Sequence, residues 1–345
     1  MSDLPTSDLD ERALTRWMKD VVPGLSDLVA LAKFPDGQSN PTYRVESNAG
    51  TFVLRRKPFG PLLPSAHAIG REFQLLSALH PVGYPVPRPL AFCDDPSVIG
   101  SAFYLMEMVG GRSFIDGTLP ALSKGERRAH YESMVDSLAA LHAIDHRAIG
   151  LGDFGAPGSY AARQVERWTR QYRAAQTDEV PEMELLMEWL PRSLPAQNHT
   201  SIIHGDYRID NLIYAANGSE VCAVIDWELA TIGDPLADFA YLAMNWIMPC
   251  DGRSGLRGVD LSEMGLPTLD EVVARYCAAT GRDNLPDLRW YFAYNLFRLA
   301  GIVQGIKKRV ADGNASSEQA AAMAERVTPL ARAALAEAHK AGAPQ

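Results

Sequence analysis

The chain has only four cysteines, Cys93, Cys222, Cys250 and Cys277, which lie far apart with no CxxC pair and no metal-ligand spacing. That pattern favours neither a cysteine metal site nor bridged cysteines. In a chain of 345 residues the expectation is reduced, buried thiols, which suits a cytoplasmic protein. No apolar run approaches the roughly 20 residues that span a bilayer, so no membrane role is expected. The opening MSDLPTSDLDERALTRWMKD has no basic segment followed by an apolar core, so neither a signal peptide nor a mitochondrial presequence is expected. Basic residues do not cluster and the net charge is −9, which argues against nucleic acid as a partner. An acidic surface could attract a cationic substrate, but solubility accounts for the charge at least as well. There is no repeat period and no low-complexity segment. No Gly-x4-Gly-Lys-Ser/Thr occurs, so the chain is not a P-loop enzyme.

What is present is the composition of a soluble globular protein, 47% hydrophobic and 22% charged, long enough for two lobes. Ser7 to Val22 reads as an amphipathic helix with Leu14, Trp17, Met18 and Val21 at helical spacing, closed by Pro23-Gly24. Strand-like segments follow at Leu28 to Phe34, Thr42 to Glu46 and Thr51 to Arg55, the last two joined by a Ser47-to-Gly50 turn. A helix is expected over Ser65 to Leu79. Apolar runs at Leu90 to Cys93 and Ala102 to Val109 lead to Gly110-Gly111. Beyond that pair the pattern turns helical: Ser123 to Ile144, Tyr160 to Ala174, Glu182 to Leu190, and most of Ala237 to Ala341. The pattern predicts an α+β chain of two lobes with a cleft between them. An antiparallel-sheet lobe would span residues 1–109 and a mainly helical lobe residues 110–345.

Inside the helical part lies a β-rich island, Ser201 to Asp226, whose two apolar arms flank Asn217-Gly218 as a hairpin would. It contains His204-Gly205-Asp206-Tyr207-Arg208-Ile209-Asp210-Asn211 and ends Ile225-Asp226-Trp227. The hairpin sets Asn211 at the start of one strand beside Asp226 at the end of the other. Phosphoryl transfer needs oxygen ligands for Mg²⁺ and a carboxylate that orients the hydroxyl and takes its proton. Asp206 is therefore the expected base, with Asn211 and Asp226 as metal ligands. The competing possibility is a hairpin whose turn-side polar groups merely cap the backbone.

At these residues the chain resembles the aminoglycoside phosphotransferase and choline kinase group of the protein-kinase-like fold, in which His-Gly-Asp-x4-Asn stands where protein kinases have His-Arg-Asp-x4-Asn. The resemblance covers nearly the whole chain and implies an ATP- and Mg²⁺-dependent kinase. It implies a strand cation gripping the α/β-phosphates, which Arg55 would supply, held by a glutamate on the next helix, Glu72. An open strand register leaves Arg56 and Lys57 as alternatives; on strand alternation Arg55 and Lys57 share a face with Val53, and Arg56 points the other way. It further implies that Ser39 lies in a phosphate-covering loop and that the Glu107 carbonyl and Val109 N–H bind adenine. His204 and Asp238 would support the catalytic loop. Gly150 to Gly155 contains both GxGxxG and Asp-Phe-Gly, but no strand precedes the first, and the second comes before the catalytic loop instead of after it. Gly205 in place of Arg, with no Ala-Pro-Glu downstream, points to a small-molecule acceptor.

Several stretches, among them Gly37 to Tyr43, Leu63 to His67, Arg163 to Trp168 and Phe297 to Gly305, resemble the kinase module fused to acyl-CoA dehydrogenases. That resemblance implies phosphorylation of a hydroxy acid or hydroxyacyl-CoA. An anionic acceptor would require cations, for which Arg163, Arg167, Arg298, Lys307, Lys308 and Arg309 are candidates, the last three being equally readable as a basic helix face. An aminoglycoside or other amino-alcohol kinase is the alternative, and a non-catalytic nucleotide-binding pseudokinase a third.

Overall fold

The computed structural model describes residues 9–34, 40–59, 69–156, 158–313 and 318–344, the side chains of 318 and 319 excepted. In chain order the elements are α1 (Glu11–Val21), β1 (Leu28–Lys33), β2 (Thr42–Ser47), β3 (Gly50–Arg56), α2 (Ile69–Leu79), β4 (Pro89–Cys93), α3 (Pro96–Ile99), β5 (Phe103–Glu107), α4 (Lys124–Ala143), α5 (Tyr160–Ala175) and α6 (Pro181–Trp189). Then come β6 (Ser201–Ile203), β7 (Leu212–Tyr214), β8 (Val221–Val224), β9 (Thr231–Gly233), α7 (Pro235–Ala243), α8 (Leu261–Met264), α9 (Leu269–Thr280), α10 (Arg289–Ala311), α11 (Glu318–Ala324) and α12 (Val327–Lys340). The chain is thus α+β, as expected, and divides into two compact units. One comprises Met1–Phe114, Arg147–Leu151 and Ile209–Ala230, the other Ile115–His146, Gly152–Arg208 and Thr231–Gln345.

The first unit is built on a five-stranded antiparallel sheet in the order β1-β2-β3-β5-β4. Period-2 alternation gives each strand one apolar face. Tyr43 and Val45, Phe52 and Leu54, Phe103 and Leu105 share a core with Leu14 and Met18 of α1. Leu14 and Met18 are fully buried, worth about 1.5–3 kcal/mol each against exposure. Asp10 starts that helix by accepting from the N–H groups of Arg12 and Ala13. The opposite face of β3 and β5 carries Arg55 and Tyr104, directly paired in register.

The unit does not end with the sheet. β7 and β8 pair antiparallel and belong to it, although about a hundred residues further along the chain. Arg112 and Tyr214 exchange both backbone hydrogen bonds at 2.8 Å, the Val224 N–H donates to Pro85 O at 2.8 Å, and Trp227 meets Tyr84 edge-on at 6.0 Å. The sequence pattern alone places a single boundary after Val109. Division by packing instead returns Ile209–Ala230 to the sheet, because these backbone bonds leave the hairpin's polar groups satisfied there.

The second unit is helical, with a two-stranded pairing of β6 and β9. Capping boxes at Ser123/Glu126 and Thr268/Glu271 start α4 and α9. α7 is buried along its whole length, and most of α10 is buried as well. β9 was not anticipated: three residues offer too little pattern for a strand. Of the cysteines, Cys93 and Cys277 are buried, Cys222 is partly buried and Cys250 is exposed, all four with free thiols, so the expectation of buried thiols holds for only two. Among the described residues, no helix is long and apolar enough to cross a membrane.

Candidate active site

In the sheet unit the sequence-selected cation and glutamate come together. Arg55 Nε lies 2.9 Å from Glu72 Oε2, and Arg55 Nη2 donates to Asp226 Oδ1 at 2.7 Å, with Glu228 Oε2 at 3.7 Å. Register decides between the basic neighbours. Arg56 turns to the other face, where it donates to Tyr43 Oη at 3.2 Å and lies 3.7 Å from the Phe59 ring centre. Burial alone would push the Arg55 guanidinium down; Glu72 foremost, then Tyr104, Asp226 and Glu228, outweigh it and hold the group above its ordinary value. Glu72, 3% exposed, also accepts from Tyr104 Oη at 3.0 Å and Asn40 Nδ2 at 3.2 Å. Burial pushes its carboxyl up, and Arg55 pulls it back.

β7 and β8 set Asn211 and Asp226 at one end of the hairpin, where the Ile225 N–H donates to Asn211 O at 2.9 Å. The connection is a four-residue loop closed by Ala215 N–H to Glu220 O at 2.8 Å, longer than the tight turn expected around Asn217-Gly218. Asp226 has φ +66°, a left-handed conformation that a non-glycine residue adopts at a cost. The donors here, a carboxylate and a carboxamide, are oxygen groups of the kind Mg²⁺ takes, and the Asp226 side chain is held in place by Arg55. The residues fit that ion. At the strand end, the Glu107 N–H donates to Arg88 O at 2.9 Å and the Met108 N–H to Thr51 O at 3.3 Å. The Glu107 side chain pairs with Arg88. Ser39 lies outside the described residues.

In the helical unit Asp206 follows β6 on a loop held from below. Asp238 of α7 accepts from His204 N–H at 2.7 Å and Gly205 N–H at 2.9 Å, and the Asp206 N–H donates to His204 Nδ1 at 3.1 Å. His142 Nε2 lies 3.4 Å from Asp238, and its Nδ1 is 2.7 Å from Tyr276 Oη. Burial opposes the charge on Asp238, but His142 first, and then His204, outweigh it and hold the carboxyl below the usual range. Gly205 has φ +82°, which accounts for glycine before the aspartate. The carboxylate itself is met at Oδ1 by Tyr241 Oη at 2.6 Å and by Arg208 Nε at 3.1 Å.

A match to the model of the phosphotransferase enzyme family covers residues 30–291, well over half of the chain. The chain belongs to that family. As a family member it is a phosphotransferase with a hydroxyl acceptor. It is 42% identical over 332 residues to mouse acyl-CoA dehydrogenase family member 10, covering 94% of this chain and 31% of that protein. This phosphotransferase spans less than half the length of the curated relatives it matches. A solved Ralstonia eutropha chain classed with the aminoglycoside phosphotransferases superposes with TM-score 0.87 at 43% identity, covering 98% of this chain and 100% of that one. The complex of aminoglycoside phosphotransferase APH(4)-Ia with AMP-PNP and hygromycin B matches at TM-score 0.61 and 14% identity, over 97% and 99% of the two chains, a likeness of fold.

The substrate-side cations fare unevenly. Arg298 is 4% exposed and donates to Gly205 O, so it lies beneath the loop inside a buried helix and is not presented to an acceptor. Arg167 stacks beside Trp168 at 5.4 Å, its guanidinium lowered by burial and by Arg298. Arg163 donates to Gly158 O. Lys307 pairs with Asp178 at 2.8 Å and Lys308 with Asp312 at 3.3 Å, which favours the surface reading of that helix end. The Asp-Phe-Gly decoy is structural: Phe154 is buried, and a Cβ on Gly155 would lie 2.6 Å from Ile232 Cβ. Sequence reasoning missed Tyr241 and Glu228. A tyrosine on an apolar helix carries no motif, whereas Asp-Trp-Glu was in plain view.

Proposed function

We propose that the chain transfers the γ-phosphate of ATP to the hydroxyl of a hydroxy acid or hydroxyacyl-CoA. The observation that carries the kinase part is Arg55 joined at once to Glu72 and to Asp226, a phosphate-gripping cation tied to a metal-type carboxylate. In this reading Arg55 grips the α/β-phosphates, Glu72 orients it, and Ser39 covers the phosphates. The Glu107 carbonyl and the Val109 N–H take adenine. Asn211 and Asp226 would hold Mg²⁺, which when bound neutralises phosphate charge. Asp206 orients the acceptor hydroxyl and takes its proton, while His204 and Asp238 keep its loop in place. The neighbour solved with AMP-PNP supports ATP as donor. Similarity along 94% of the chain to a protein named for acyl-CoA dehydrogenation supports an acyl acceptor, with Arg163 and Arg167 as its cationic contacts.

The 43% identical chain classed with aminoglycoside phosphotransferases supports a second reading, an amino-alcohol acceptor. The test is phosphoryl transfer from MgATP across a panel of 4-hydroxyacyl-CoAs, free hydroxy acids and aminoglycosides. Phosphorylated hydroxyacyl products are expected. Transfer to aminoglycosides alone would replace the acceptor assignment, and ATP binding without transfer to any member would defeat both.

A further inference from the structure

α7 is apolar and buried, yet its last turn carries one hydroxyl that ends on a carboxylate. Tyr241 Oη donates to Asp206 Oδ1 at 2.6 Å, the length of a charge-assisted bond. Burial first, and then the charge of Asp206, push the Tyr241 phenol up, so it stays a donor at any working pH. Behind it the Arg298 guanidinium lies 5.1 Å from the Tyr241 ring centre and 5.4 Å from that of Trp168, and donates to Gly205 O. Its Nε has no hydrogen-bond partner among the described residues. A buried cation held by two ring faces and one carbonyl is costly for stability alone. What it touches is the peptide group preceding Asp206 and the ring that meets Asp206.

We propose that Tyr241 and Arg298 are positioning residues for the proton acceptor: Tyr241 fixes the Asp206 carboxylate through Oδ1, and Arg298 fixes both the Tyr241 ring and the Gly205 carbonyl. The inference rests on the reading of Asp206 as base. Asp238 already holds the N–H groups of residues 204 and 205, so the loop is gripped at its donors, at one acceptor and at the side chain itself. A carboxylate restricted in this way meets the hydroxyl in a single orientation, and that contributes to kcat without contributing to nucleotide binding.

The experiment is a cycle of Tyr241→Phe, Arg298→Lys, Asp206→Asn and the two doubles with Asp206→Asn. The whole 345-residue chain is assayed for MgATP hydrolysis with water as acceptor, and MgATP affinity and melting temperature are measured alongside. Losing one hydrogen bond to a charged group predicts a fall in kcat of roughly tenfold to a hundredfold for Tyr241→Phe. KM for ATP and melting should be unchanged, and in the Asp206→Asn background neither substitution should lower kcat further. Unchanged kcat in Tyr241→Phe, or a full additional loss on top of Asp206→Asn, overturns the inference while leaving the base in place. Turnover retained by Asp206→Asn overturns the base reading itself. If Arg298→Lys does not fold, Tyr241→Phe, which removes one oxygen and keeps the ring, decides the matter alone.

Discussion

Asp226 and Leu119 are the non-glycine residues with positive φ among the described residues, and at Asp226 the strained backbone and the candidate chemistry coincide. Asparagine tolerates this region as aspartate does, so Asp226→Asn should fold while losing the carboxylate that Arg55 contacts. We expect its turnover to fall at least about a hundredfold, with melting little changed; near-native activity would remove Asp226 from the metal set. Asp206→Asn should lose kcat by a similar or larger factor with MgATP affinity kept. Asp238 supports a pH prediction. Its folded pKa is depressed, so it adds stability above the unfolded aspartate value near 3.9, and that stability is lost as pH falls through the folded value. Asp238→Asn should therefore be less stable than wild type at neutral pH, by about 1.5–3 kcal/mol for the hydrogen bonds to a charged group, with the gap closing below about pH 4, as urea titrations across pH would show.

At the scale of elements, β7 and β8 depend on one glycine. A Cβ on Gly111 would lie 2.2 Å from Tyr214 O and 2.6 Å from Ile213 Cγ2, against backbone that cannot move without breaking the Arg112–Tyr214 pair. Gly111→Ala should cost upwards of about 2 kcal/mol and lower MgATP affinity, whereas Gly110→Ala, with open space around it, should be close to neutral. Much of this level was legible. The strands of the five-stranded sheet announce themselves by period, α4 and α5 by period and caps, and the placing of Asn211 beside Asp226 follows from two apolar arms. Less could be read where meaning depends on a partner far away in the chain. Arg298 looks like any helical arginine until its helix is seen to be buried, and Tyr241 looks like core. Strand alternation sets Arg56 apart from Arg55 and Lys57, but the register that makes Arg55 the partner of Tyr104 comes only from the pairing of β3 with β5.

At the scale of the molecule, the sheet unit is assembled from three stretches of chain, Met1–Phe114, Arg147–Leu151 and Ile209–Ala230. A fragment ending at residue 114 keeps every strand of the five-stranded sheet but lacks β7 and β8. It loses the partners of Arg112, Pro85 and Tyr84. Such a fragment should be markedly less stable than the same unit within the full chain and should not bind MgATP; thermal melting and calorimetry would show it. The fold as a whole was readable because the motif and both lobes' patterns agree. The segmentation was not, since nothing in local sequence marks residues 209–230 as returning to the sheet.

That segmentation also sets an order in time. On a ribosome adding roughly 5–20 residues per second, the sheet is complete several seconds before the hairpin that brings Asn211 and Asp226 is made. Through that interval Arg55 and Glu72 can pair, but Asp226 does not yet exist to join them. The cluster of Arg55, Glu72 and Asp226 is therefore incomplete until synthesis has passed Asp226, and if it grips phosphate as proposed, bound nucleotide cannot steady the sheet before then.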